Sequence, residues 1–72
     1  MSFNIVLVAR DGRQFWLDEH DNITNKYYKA ACIKDLDKIT KLIKRFIKNF
    51  TIIIITLDGE VVRKYDRLDY DF

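Results

Sequence analysis

Few residues in this 72-residue chain are of the types that carry chemistry. The run Asp18-Glu19-His20-Asp21 sets the single histidine among three carboxylates. Imidazole and carboxylate both ligate metals, but sequence neighbours converge on one ion only where a loop folds them inward, and no second histidine is available. A solvated polar loop is the simpler expectation. Cys32, in "AACI", is the only cysteine. A nucleophilic thiolate needs a base and an electropositive pocket beside it, whereas these apolar flanks predict a buried structural thiol. The chain has no Gly-rich phosphate loop, Ser-His-Asp set, CxxC pair or HExxH helix. The expectation is therefore a protein that is not an enzyme, with no cofactor, no metal and no small-molecule substrate. Catalysis would need a second chain, with Cys32 or His20 at the seam.

Charge offers two binding candidates. At 100° per residue, Lys34, Lys38, Lys41, Arg45 and Lys48 fall within about an 80° band of a helix. Such a row could track phosphates. It equally serves as the wet face of a helix packed on a sheet, and neither aromatic nor amide side chains interleave it to read bases. The second candidate is the terminal "YDRLDYDF", where acids alternate with Tyr65, Tyr70 and Phe72. Asp69, Tyr70, Asp71 and Phe72 could form an anchor-and-rim contact for a basic protein, or simply a frayed end.

The elements that must position these groups are read from periodicity. Both glycines lie in Asp-Gly pairs, Asp11-Gly12 and Asp58-Gly59, between apolar runs, the strongest short hairpin signal. In the first hairpin a two-residue turn sets Leu7 opposite Trp16. A three-residue turn with a glycine bulge sets Leu7 opposite Phe15 and collects Phe3, Ile5, Leu7, Ala9, Phe15 and Leu17 on one face, so it is preferred. Val6, Val8 and Trp16 then share the other face. "DEHDNITN" reads as a polar connection, and Lys26 to Ile33 as a third strand, with a helix from Asn25 as the competing reading. Asp35 is a natural N-cap. From there to about Lys48 the apolar positions Leu36, Ile39, Leu42, Ile43, Phe46 and Ile47 recur at helical steps. Ile52 to Ile55 predicts a strand buried on both faces, or one covered by a partner.

The expected order is β-β-β-α-β-β: a small two-layer α+β domain, largely antiparallel, with one amphipathic helix on one face of the sheet. A chain this short supports one core, so residues 1–72 are expected to form a single domain, with 66–72 as a flexible acidic aromatic tail. One helix hides one face, which leaves Val6, Val8, Trp16 and alternate isoleucines without cover. An apolar patch of that kind usually meets a protein partner or a second copy, unless the Tyr27–Tyr28 segment or the tail folds over it.

A net charge of +2 is too mild to imply nucleic acid. No apolar run reaches the 18 residues of a membrane span, and "MSFNIVLVARDG" reads as a strand, not a signal peptide. A lone cysteine fits a reducing compartment, the cytoplasm. Eight Lys against five Arg, no Pro and abundant Ile, Asn, Tyr and Phe follow AT-rich codons, as in a low-GC bacterium or its phages and mobile elements. The expected function is a protein–protein interaction module, an inhibitor or regulator of a host protein encoded by such an element. The alternative is a small nucleic-acid-binding protein using the basic helix face.

Overall fold

A computed structural model describes residues 2–69. It contains β1 (Phe3–Val8), β2 (Gln14–Leu17), β3 (Ile23–Thr24), α1 (Leu36–Phe46), β4 (Ile52–Leu57) and β5 (Glu60–Asp66), with short 3-10 turns at Tyr27–Lys29 and Arg67–Asp69. The strands form one antiparallel sheet in the order β3-β2-β1-β4-β5. This is the expected two-layer α+β architecture.

Register in the first hairpin is the three-residue one. Leu7 pairs with Phe15 and Val6 with Trp16. The turn closes through Ala9 N–H to Arg13 O at 2.9 Å and Gly12 N–H to Ala9 O at 2.9 Å. Gly12 sits at φ +89, in the left-handed region where a side chain is strained. The second turn is a two-residue one. Asp58 (φ 53) and Gly59 (φ 82) both occupy positive φ, the mirror-image geometry that matches strand twist. Past it, Ile55 pairs with Arg63 but Thr56 with Val61. Val62 is the extra residue of a β-bulge that sequence patterning missed.

α1 begins at Asp35, whose carboxylate accepts the Asp37 N–H at 2.9 Å. Ile39, Leu42, Ile43 and Phe46 meet Ile5, Leu7, Leu17, Ile53 and Ile55 from the sheet, and Ile33, Ile47 and Phe50 complete the core. Phe50 packs against Phe15 and Phe46, with ring centroids 6.1 and 6.5 Å apart. Leu36, expected in that stripe, is 64% exposed. It heads the helix at an open notch shared with Phe3, Ile55 and Val62.

Two expectations about the middle of the chain are corrected. The polar connection contains β3. Asp21 takes φ 62, and the turn closes through Asp18 N–H to Asn22 O at 2.9 Å, which returns Ile23 and Thr24 to pair with Leu17 and Trp16. Residues 26–33 are neither a full strand nor a helix. After the 3-10 turn they extend along the line of β2. Ala31 N–H donates to Leu17 O (2.8 Å), and Ile33 exchanges both backbone bonds with Phe3 (2.7 and 2.8 Å). β2 is only four residues long, so this passage completes the pairing beside the start of β1.

Leu7 has no exposed surface, so Leu7→Ala is expected to cost about 2–5 kcal/mol, much of the stability of a domain this small. Leu36→Ala should stay within about 0.5 kcal/mol. Urea denaturation of both variants checks the contrast.

Candidate protein-binding face

Strand pairing sets the side chains of the face opposite α1 in rows. The first row runs Thr24, Trp16, Val6, Ile54, Lys64 across all five strands. The second runs Gln14, Val8, Ile52, Asp66, and the third Asn4, Thr56, Val61. An apolar block of Val6, Val8, Trp16, Ile52 and Ile54 is thus rimmed by polar groups, the anatomy of a protein interface. These residues lie apart from the helix-side core.

The block is less bare than the sequence implies. Val6 is only 9% exposed, and Val8, Trp16, Ile52 and Ile54 are half-buried. Neighbouring side chains on a sheet shield one another laterally, so the free area is their outward ends. The Tyr27 ring meets Trp16 edge-on at 6.3 Å, and Tyr28 meets Tyr27 at 6.1 Å. With Tyr27 73% exposed, that segment extends the apolar surface at Trp16 rather than sealing it. Among the described residues no second layer lies on this face. Other exposed large apolar side chains, Ile23, Leu36, Val61, Val62 and Leu68, stand outside the block.

The acidic tail candidate falls mostly beyond view. Tyr70, Asp71 and Phe72 lie outside the described residues, and of Asp69 only the backbone turn is described. Asp66 does not start a flexible tail but is the last residue of β5, and Arg67 N–H donates to Thr51 O at 2.9 Å.

Lys34, Lys38, Lys41, Arg45 and Lys48 are all exposed, on or beside the outer face of α1. Lys38 Nζ lies 3.3 Å from Asp21 Oδ1. The pair ties the helix to the loop before β3, with both side chains partly exposed. Arg45 lies over the Phe46 ring, 5.2 Å from its centroid. Lys34 shares an open groove of about 930 Å³ with Asp18, Glu19 and Asp35. Acids from the neighbouring loop thus offset the positive field at the start of the helix.

The same groove brings together His20 and Cys32, which sequence reading kept apart. Cys32 is exposed, not buried as expected. In the extended passage Ala31 and Ile33 face the core, so alternation turns the thiol outward. Asp18 Oδ1 accepts N–H bonds from His20 (2.8 Å) and Asn22 (3.0 Å), which spends that carboxylate on its own loop. Among the described residues no cluster of three or more His, Cys, Asp or Glu is arranged to hold a metal ion. Nor is any helix there long and apolar enough to cross a membrane. No family model matches the chain, and neither a curated protein nor a solved structure is significantly similar to it.

The Asn22 N–H, then that of His20, holds the Asp18 carboxyl below the ordinary carboxylate value. A depressed folded-state pKa contributes stability above the unfolded value of 3.8 and loses it as pH falls through the folded one. The His20 and Asn22 amide resonances are therefore expected to titrate with a midpoint below 3.8; an NMR pH series measures it.

Proposed function

We propose that this chain is a non-enzymatic protein–protein interaction module whose contact surface is the sheet face turned away from α1. The observation that supports it is the block of Val6, Val8, Trp16, Ile52 and Ile54, set on a rigid sheet, rimmed by polar side chains and left without a second layer among the described residues. A two-layer domain needs only one apolar face to make its core. Apolar groups on the second face add nothing to that core and do what interface centres do, which is exclude water against a complementary surface. The reading also covers an inhibitor or regulator of a host protein, encoded by a phage or mobile element and acting in the cytoplasm. What supports that finer step is composition alone: the low-GC residue usage and the unpaired cysteine.

A nucleic-acid-binding surface on α1 is the weaker reading, because Lys38 and Arg45 are engaged within the chain and acids lie beside Lys34. The two readings are separated by substitutions on opposite sides of the molecule. Tagged wild type, Val8→Glu and the double variant Lys41→Glu/Arg45→Glu are used to capture proteins from a low-GC bacterial lysate and, separately, to bind single- and double-stranded DNA and RNA. Capture of a specific partner should survive the helix changes and fall at least tenfold with Val8→Glu. A partner set indifferent to Val8→Glu rejects the open face. Nucleic-acid binding whose log–log salt slope drops by about two units in the double variant would move the function to α1.

A further inference from the structure

We propose that the partner on the open face is a second copy of this chain, packed sheet on sheet about a two-fold axis that runs across the strands between the Val6–Ile54 and Val8–Ile52 rows. The inference rests on the reading of this face as the contact surface and names its occupant.

Charge on the face points to its occupant. The three rows carry one cation and one anion, Lys64 and Asp66, two residues apart on β5, and every other side chain in them is neutral. An isologous contact sets the same patch against itself, so each group must find its complement in the same short list. A cross-strand axis between the first two rows lays β5 over the partner's β5 and exchanges the rows. Lys64 then faces the second copy's Asp66, and Asp66 its Lys64. Val6 lies over Val8, and Ile54 over Ile52. An axis parallel to the strands instead lays β5 over β2, which sets Lys64 against Trp16 and Asp66 against Gln14 and pairs no charge. Packed sheets stand about 10 Å apart, a gap that the four-carbon stem of lysine helps to bridge at the rim.

Size sets the expected strength. With strands about 4.8 Å apart and about 3.4 Å per residue, the face spans on the order of 400–500 Å² in projection. Even with side-chain relief that is below the standard interface of about 800 Å² per partner and belongs with weak, transient contacts. Association in the micromolar range follows, dependent on protein concentration and on salt.

The test uses reciprocal charge reversal. Lys64→Asp puts two acids on each copy and Asp66→Lys two bases, so each variant repels itself while the two complement one another. By light scattering from ~5 to ~500 µM, a range that brackets a micromolar Kd, wild type should pass from monomer to dimer. Each variant alone should dimerise at least tenfold more weakly, and an equimolar mixture should recover the dimer. Asp66 also accepts the Leu68 N–H, so circular dichroism checks that each variant folds. A measurement free of that risk couples ¹⁴N and ¹⁵N wild type with a zero-length carbodiimide, which should yield Lys64–Asp66 cross-links of mixed isotope. A wild type monomeric throughout overturns the proposal, as do variants that dimerise unchanged, a mixture that stays monomeric or cross-links of single isotope only. The two proposals fail separately. A monomeric wild type whose capture of a foreign protein is abolished by Val8→Glu rejects self-association and keeps the open face as the binding surface.

Discussion

The register of β1 against its two neighbours is the constraint from which the rest follows. Leu7 lies between Phe15 and Ile53, and Val6 between Trp16 and Ile54. Side chains alternate strictly along a strand, so a slip of one residue would exchange the helix-side core for the open face in a single step. Two local devices hold the register. The three-residue turn at Gly12 fixes β1 on β2. On the other side β1 is pinned to β4 along its whole length, from Phe3 opposite Leu57 to Val8 opposite Ile52. The open face is thus as well ordered as the core, because the same hydrogen bonds position both.

One helix against five strands explains where the apolar surface is left. A helix is about 10 Å across, whereas five strands span about 19 Å. α1 covers the middle, and other segments cover what remains on that side. Phe50 closes over Phe15, and the passage ending at Ile33 lies beside Phe3. Among the described residues the far border goes uncovered. There Leu36 and Val62 flank a notch of about 420 Å³ with Phe3, Ile55 and Tyr65. β5 is nevertheless a guarded edge, since Arg63, Lys64 and the bulge at Val62 discourage open-ended strand addition.

What was legible in the sequence was what local chemistry decides. Asp-Gly pairs announced both hairpins, counting apolar side chains chose the first register, and Asp35 marked the start of the helix. The misreadings share a cause, which is that tertiary pairing overrode a local pattern. β3 was hidden because Asp21 adopts positive φ, which the sequence permits but does not demand. An N-cap at Asp35 favours a strand over residues 26–33, although only their last residues find a pairing partner, where β2 runs out. Cys32 sits in an apolar run yet faces out, because the burial of Ala31 and Ile33 takes the alternate positions. Leu36 fits the helical period but borders an open notch and stays exposed, and periodicity carries no record of how closely each turn packs on the sheet. Of the candidate site, Val6, Val8 and Trp16 were placed on the correct face, while their lateral shielding was beyond any pattern.

The two faces of the molecule also differ in kind. Outside α1, charges are numerous, and Lys38 is matched close by with Asp21. Exposed pairs of this sort contribute little individually, up to about 1 kcal/mol, and tolerate many neighbours. On the open face charge is scarce: its rows carry one cation, Lys64, and one anion, Asp66, both on the edge strand β5. Desolvating Lys64 or Asp66 against a neutral partner would cost more than contact returns, so an occupant must present opposite charges at matching points. That requirement is what makes the face selective despite its modest area. If copies of the chain meet it, as proposed, a foreign protein must displace one of them, and occupancy of the face becomes a competition governed by mass action.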